Sequence, residues 1–232
     1  MVRWLLGIVV FVVLLLSSSV AWAERDLIVP FHEGGHVVLD QLAGLRLDMS
    51  GFSYAAPAGV MMRTANVGGV EQSTTSVWFA PAADVFVTDH LSVGGRVDVQ
   101  HTWGAVESGG QRLELPGTTS MTFLPRVGFY VPFGDRVGLW ARAGVGWTRT
   151  ESASFLAAGS APTTDTFRAM VLNVDASIVY RFNETFFMKG GPEVGVTFGG
   201  RSESSTNGVS TGGSASVLQL GGTLGFGMNI EL

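Results

Sequence analysis

A short segment near the N-terminus, residues 32–36 (HEGGH), matches the H-E-x-x-H pattern of zinc hydrolases. On a helix, this spacing places two imidazoles on one face to bind zinc, and the glutamate acts as a general base. The two adjacent glycines, Gly34 and Gly35, together cost about 2 kcal/mol of helix propensity relative to alanine. Pro30 lies just upstream, and no clear third ligand follows. We therefore predict no catalytic residue, no metal site and no cofactor; opportunistic metal binding by this segment is the alternative.

A second set of residues could form ion pairs, because arginine and carboxylate side chains recur on the polar face of segments in which polar and apolar residues alternate. Each lies roughly eight residues from a tight turn, so they are expected to share one band. The set is Arg96, Asp98, Arg126, Arg142, Asp175 and Glu193. In an enclosed interior such charges must pair to offset desolvation, which predicts a plug rather than an open pore. Separate hydration of each charge by interior water is the alternative; Arg46 and Asp48 are further candidates.

The element that would position such a band is clearest at the C-terminus, where nearly every second residue of 218–232 is apolar. The apolar positions are Leu218, Leu220, Leu224, Phe226, Met228, Ile230 and Leu232. Period two indicates a strand with one apolar and one polar face. A strand of a soluble protein usually has about 5 to 6 residues, whereas a tilted strand needs about 9 to 11 to cross a bilayer. This segment is long enough to cross.

Seven more segments show the same alternation. We predict eight strands near residues 42–54, 73–87, 91–103, 121–131, 137–147, 170–182, 186–198 and 218–232. Tight turns fall near residues 89, 134 and 183, and polar loops span 55–72, 104–118, 149–165 and 199–213. Pro81, Pro125 and Pro192 fall inside strands, where each removes a ladder donor, and we expect bulges there.

The fold class is therefore all-β, an eight-stranded antiparallel up-and-down transmembrane barrel over residues 42–232. Short turns on one side and long loops on the other match periplasmic turns and extracellular loops. The chain is 46% hydrophobic with only 14% charged residues, which fits a barrel that turns its apolar face to lipid. A soluble lipocalin-like barrel is the alternative, but its outward face should be polar.

The remaining composition fits export. Residues 1–23 read as a signal peptide, with Arg3 before an apolar run and cleavage expected after Ala23, and residues 24–41 read as a periplasmic leader. Loss of Arg3 leaves 13 basic against 19 acidic side chains, a net charge of −6, and nothing basic suggests nucleic acid. The chain has no cysteine, so disulfides do not stabilise it.

Outward aromatic residues are expected at both membrane interfaces. Counting from the tight turns predicts an upper girdle of Trp103, Trp147 and Phe198. A lower girdle would comprise Phe129, Tyr180, Phe182 and Phe186.

Two hairpins, residues 79–94 and 123–138, share an echoing pattern in which Phe-x-Pro precedes the turn. In this pattern the chain resembles the small outer-membrane β-barrel proteins of Gram-negative bacteria, the OmpA-like and OmpX-like group. The resemblance implies an outer-membrane location and insertion by the barrel-assembly machinery. The corresponding C-terminal signal would be Phe226, Met228, Ile230 and Leu232.

Some barrels of this group modify lipid A with a histidine, a serine and an acidic residue near the outer rim. His101 is the only histidine near that rim here, with Glu107 and Ser108 close in sequence, and we interpret it as an interfacial histidine. The predicted function is a non-catalytic structural or surface-interaction role, adhesion or protection, for a monomer that contacts outer-membrane lipids. A narrow channel is the first alternative and a lipid A-modifying enzyme the second. The composition of the loops does not indicate an extracellular ligand.

Overall fold

The computed structural model describes residues 35–48, 51–54, 56–67, 70–155, 162–206 and 209–231. Among these residues, no helix is long and apolar enough to cross a membrane. Twelve strands account for most of the described chain. In chain order they are β1 (His36–Asp48), β2 (Gly51–Tyr54), β3 (Ala58–Val67), β4 (Val70–Phe79), β5 (Ala82–Phe86), β6 (Leu91–Ser108), β7 (Gln111–Pro132), β8 (Val137–Phe155), β9 (Pro162–Arg181), β10 (Phe186–Thr206), β11 (Val209–Ala215) and β12 (Leu218–Glu231).

The strands form one closed antiparallel barrel. Neighbouring strands from β6 to β10 pair in sequence order, β12 pairs β10, and β1 pairs β12. Closure comes from β5, which pairs both β1 and β6. Because β4 and β5 are two halves of one interrupted strand, the barrel has eight strands around its circumference: β1, β4 with β5, β6, β7, β8, β9, β10 and β12. The predicted eight-stranded antiparallel barrel is confirmed.

The first strand was predicted from residue 42, but it begins at His36. Residues 36–41, assigned to the leader, are therefore part of the barrel, and 24–34 lie outside the described residues. β1 ends at Asp48, and 51–54 return as β2 in a short hairpin instead of continuing the strand. A register shift between Leu39 and Ala43 breaks the alternation, which explains why the start was placed too late.

The polar segments predicted as long loops are mostly strand extensions. β6 and β7 continue pairing as far as Ser108 and Gln111 and turn through Gly109 and Gly110, whose φ angles are 60° and 77°. β10 likewise pairs β11 over residues 200–206. In these ladders apolar residues are sparse among hydroxyl, glycine and charged ones, so hydrophobic alternation is weak there.

Pro81 differs from the other two strand prolines, Pro125 and Pro192. Pro81 lies in the gap between β4 and β5, so it interrupts a strand. The expectation of bulges at Pro125 and Pro192 is wrong, because the register of β7 and β10 does not shift there. Each of the two prolines instead pairs on one side only, with Gly95 and Gly222 respectively, and is missing from the ladder on the other. A missing donor is thus tolerated by a local gap in one ladder.

Side chains alternate between the interior and the outer surface, as β7 shows. Leu124 and Tyr130 point inward and are 4% and 2% exposed, whereas Phe123 and Phe129 point outward and are 56% and 53% exposed. The outer surface is therefore rich in large apolar side chains. The interior holds the polar and charged ones, together with an apolar layer that alternation alone did not predict.

Candidate functional site

The interior near the short turns is filled by an apolar layer. Its six members are Val38, Phe86, Tyr130, Trp140, Val179 and Phe187, each at most 2% exposed. The Phe86 ring packs against Trp140 with centroids 5.6 Å apart and meets Tyr130 edge-on at 6.3 Å. Trp140 Nε1 donates a hydrogen bond to Ser92 Oγ at 3.1 Å, so its buried polar atom is satisfied. This layer therefore packs the interior of the barrel at the turn end with large side chains.

Against this layer lies an ionic cluster of three carboxylates and three cations, which sum to zero formal charge. It consists of Asp40, Asp84, Asp175, Arg126, Arg142 and Lys189, all of them buried. The residues come from six strands, β1, β5, β7, β8, β9 and β10. The cluster therefore spans the barrel and ties strands that are not neighbours in the sheet.

Asp40 is the centre of the cluster. Its Oδ2 lies 2.6 Å from Lys189 Nζ and 3.0 Å from Arg126 Nη2, and it also accepts a hydrogen bond from Arg142 Nη1. One carboxylate therefore contacts all three cations. Burying a charge is costly unless it is paired, so each of these contacts offsets desolvation of both partners.

The two arginines of the cluster also bind the other carboxylates. Arg126 forms two parallel hydrogen bonds to Asp84, Nε to Oδ1 at 3.1 Å and Nη2 to Oδ2 at 2.5 Å. Arg142 donates from Nε and Nη2 to Asp175 Oδ1 at 3.0 and 2.7 Å. Such paired contacts are among the strongest ionic hydrogen bonds in proteins. Arg142 also lies 4.3 Å over the Trp140 ring, joining the cluster to the apolar layer.

A second, partly exposed group of ion pairs lies on the outer side of the cluster. Arg96 Nη2 lies 3.0 Å from Asp98 and its Nη1 lies 3.6 Å from Glu193. Arg46 also pairs with Glu193, and Asn173 donates to the same carboxylate at 2.9 Å. The two groups together line a cavity of about 20 Å³. That volume holds roughly one water molecule, so the side chains of the two groups leave little space between them.

Glycines on neighbouring strands give the bulky side chains room. A Cβ at Gly128 would lie 2.6 Å from Trp140 Nε1 and 2.8 Å from Arg142 Cγ. A Cβ at Gly227 would lie 2.1 Å from the Phe187 ring. The glycine content therefore has a packing role where the interior is fullest.

Comparison with known proteins finds likeness in fold but not in sequence. The fold is similar to the crystal structure of the outer membrane protein OprG from Pseudomonas aeruginosa, with a TM-score of 0.51, 11% identity, and coverage of 87% of this chain and 98% of that chain. At this identity the likeness shows the fold alone, a closed eight-stranded antiparallel barrel. The N-terminal β-barrel domain of P. aeruginosa OprF also matches, at a TM-score of 0.34 and 13% identity over 85% of this chain and 98% of that one. No protein-family model and no curated protein sequence matches the chain.

The barrel brings the six sequence-predicted charged residues inward, but in two groups rather than one band. Arg126, Arg142 and Asp175 belong to the ionic cluster, whereas Arg96, Asp98 and Glu193 belong to the outer group. Arg46 joins the outer group, and the side chain of Asp48 lies outside the described residues.

Sequence reasoning missed three cluster residues: Asp40, Asp84 and Lys189. Two of them could have been found from the sequence. Asp84 lies one residue before the outward Val85, and Lys189 lies three residues after the outward Phe186, so both fall on the inward face of their strands. Asp40 had no such signal, since β1 was placed too late in the sequence. The apolar layer was missed because alternation was interpreted as apolar outside and polar inside throughout.

The predicted girdle residues point to the outside. Trp103, Trp147 and Phe198 are 43%, 38% and 45% exposed, and the exposed Phe182 ring stacks on Phe226 at 6.2 Å. Phe129 and Phe186 are exposed as well, and Tyr180 is half-buried. Of the C-terminal signal, Phe226 and Ile230 are exposed and Met228 is half-buried, while Leu232 lies outside the described residues. Their roles at the membrane and in assembly stay predictions.

The histidines that the structure describes contact nearby polar and aromatic side chains. His101 Nδ1 lies 2.8 Å from Thr119 Oγ1, and its ring stacks on Trp103 at 5.4 Å. Glu107 and Ser108 lie at the far end of β6, with Glu107 paired in register with Arg112. His36 is in a strand with Nδ1 3.0 Å from Asn229 Nδ2, while 32–34 lie outside the described residues. Within the described part of the chain, no group of three or more His, Asp or Glu side chains could hold a metal ion.

Proposed function

We propose that the protein is an integral outer-membrane barrel with a closed interior and a structural or surface-interaction role. The observation that supports this most directly is the double closure: the apolar layer at the turn end and the neutral ionic cluster against it. An eight-stranded barrel is only wide enough for side chains to fill it, and here large ones do. What the protein presents to other molecules is then its outer surface and its polar hairpins.

The outer surface supports membrane insertion. In β10 the outward residues Phe186, Val194, Val196 and Phe198 are 36% to 48% exposed, a continuous apolar stripe. The twelve steps from Phe186 to Phe198 rise about 30 Å at roughly 3.3 Å per residue and a tilt of about 40°, close to the hydrocarbon thickness of a bilayer. In water these apolar side chains would remain exposed to solvent, which is unfavourable, whereas in a bilayer they would contact lipid acyl chains.

Location is tested by fractionation of cells that express the full chain, together with gel migration before and after heating. We expect the protein in the outer-membrane fraction and a heat-dependent shift in migration, because a folded barrel resists unfolding in detergent at room temperature. A soluble periplasmic protein without such a shift would contradict the proposal.

The enzymatic alternative is tested by the lipid A mass spectrum of the same cells, which should not change. A new lipid A mass that disappears with His101→Ala would favour that alternative.

Closure of the interior is tested by planar-bilayer recording of the refolded protein. We expect no large, steady conductance. A double variant, Trp140→Ala with Arg142→Ala, removes side chains from both closing layers and should introduce conductance, which shows that the assay detects opening. The matched control is Phe123→Ala, which truncates an outward ring. Steady conductance of the unmodified protein would favour the narrow channel.

A further inference from the structure

Three arginines stand side by side across the outer surface of the barrel. Arg149 in β8 pairs in register with Arg168 in β9, and Arg168 pairs with Arg201 in β10. We name these three residues the arginine row. Directly opposed residues on one face of a sheet have Cβ atoms about 4.5 to 5.5 Å apart, so the three guanidinium groups can reach the same small volume.

The arginine row lies beside an apolar row on the same face. Trp147, Met170 and Phe198 are paired in register and are 38%, 41% and 45% exposed. Arg149 and Arg168 are two residues further from the short turns on their strands, so they share the outward phase of Trp147 and Met170. The row therefore follows directly after the apolar stripe that would face lipid.

Arg201 reaches this face only because β10 contains a bulge. Between Phe198 and Arg201, β10 advances three residues while β9 advances two, from Met170 to Arg168. Gly199 adopts φ +60°, which a glycine takes without strain. If the same residues continued from the outward Phe198 in regular alternation, with no bulge, Arg201 would point into the interior. Bulges of this kind often re-aim a side chain beside a functional site.

The charges of the arginine row are poorly balanced within the described residues. Arg149 pairs with Glu151, whereas Arg168 and Arg201 form no ion pair with any described carboxylate. Like charges directly opposed on a sheet are destabilising. Arg168, Arg201, Thr166 and Glu203 instead line a hollow of about 230 Å³ that also touches the apolar row. The three arginines carry a charge of +3, and Glu151 and Glu203 reduce it to +1, which favours binding of an anion.

We propose that the arginine row binds the phosphate of a membrane lipid headgroup, with the acyl chains of that lipid lying along Trp147, Met170 and Phe198. Guanidinium groups match phosphate oxygens with paired hydrogen bonds, and a shared anion offsets the repulsion between Arg168 and its two neighbours. The adjoining apolar row favours a lipid over a free anion. The inference rests on the proposed function, since the lipid is available only to an inserted barrel.

The test uses the refolded protein in phosphatidylcholine nanodiscs doped with phosphatidic acid or with diacylglycerol, two lipids that differ by the phosphate. Retention of each lipid is measured by native mass spectrometry. We expect retention of phosphatidic acid and not of diacylglycerol, and Arg168→Gln should weaken the former at least about ten-fold. The matched control, Arg112→Gln, removes an exposed arginine that is opposed in register by Glu107 and should change retention by less than about two-fold.

Several results would overturn the lipid site. These are equal retention of the two lipids, an equal loss in both variants, or displacement of phosphatidic acid by an equal concentration of inorganic phosphate. Arg201→Gln removes the arginine that the bulge places beside Arg168 and should reduce retention as Arg168→Gln does; unchanged retention in both of these variants would also contradict the lipid site. Failure of the unmodified protein to insert would contradict the proposed function itself, whereas normal insertion without phosphate selectivity contradicts the lipid site alone.

Discussion

The two ends of the barrel are built differently. At the turn end, Trp140 and Val179 are fully buried, and Arg142 joins the apolar layer to the ionic cluster. Toward the other end, the inward contacts are mostly hydroxyl pairs between neighbouring strands, such as Thr122 with Thr148 at 2.9 Å. The first end is held by packing and by charges that cross the interior; the second is held by the backbone ladder and short side chains.

This difference indicates where sequence change should be tolerated. A buried charge that loses its partner is strongly destabilising, whereas a half-exposed hydroxyl can exchange its partner for water. The Arg149–Glu151 pair at the outer end is 37% and 43% exposed at its side chains, so solvent screens it. The turn end is therefore expected to tolerate substitution less well than the outer end.

The largest effect is expected from Asp40→Ala. It leaves three buried cations against two carboxylates, and breaking a buried pair in this way costs about 3 to 5 kcal/mol. The measurement is the denaturant midpoint of unfolding of the refolded barrel in detergent, with gel migration as a check on folding. The matched outer-end change, Glu151→Ala, should cost no more than about 1 kcal/mol.

A double variant separates charge from packing in this prediction. Asp40→Asn with Lys189→Gln restores two cations to two carboxylates, so it should be more stable than Asp40→Asn alone by about 1 to 3 kcal/mol. Equal stability of the two would show that Asp40 acts through its shape rather than its charge. Equal losses for Asp40→Ala and Glu151→Ala would remove the contrast between the two ends.

The barrel and the inward phase of the charged residues could be predicted from the sequence, because a period of two depends only on strand geometry. Arg142 and Asp175 were placed inward by counting from their turns, and the structure pairs them at 2.7 Å. Such counting works where strands are regular and turns are tight. It gives the face of a residue and its approximate height.

Partner choice and irregularities could not be predicted in this way. Asp40 reaches Lys189 across 149 positions of sequence, and this contact depends on closure of β1 against β5 and β12. The bulge at Gly199 shifts the phase of β10, and counting through it would place Arg201 on the wrong face. The hydroxyl-rich strand extensions are also difficult to detect by hydropathy, because apolar residues are sparse in them.

An intermediate effect is expected from Gly227→Ala, which adds one methyl group opposite the buried Phe187. Because that carbon would lie 2.1 Å from the ring and Phe187 is 1% exposed, the ring must move within a filled layer. Overpacking of this kind costs about 1 to 3 kcal/mol. The matched change Gly213→Ala in β11 meets no atom within 4 Å and should alter the unfolding midpoint by less than about 0.5 kcal/mol. Similar losses at both glycines would show that the outer end is packed as fully as the turn end.

The smallest effect is expected from Thr122→Val, which removes one hydroxyl from the pair with Thr148 and keeps the side-chain shape. A net hydrogen bond contributes about 0.5 to 1.5 kcal/mol, and the lower value applies here because both side chains are half-buried and Thr148 can bind water instead. Thr122→Ser, which retains the hydroxyl, serves as the control in the same unfolding measurement. If Thr122→Val instead destabilised the barrel as much as Asp40→Ala, the hydroxyl pairs would be as important as the ionic cluster, and closure would be distributed along the whole interior.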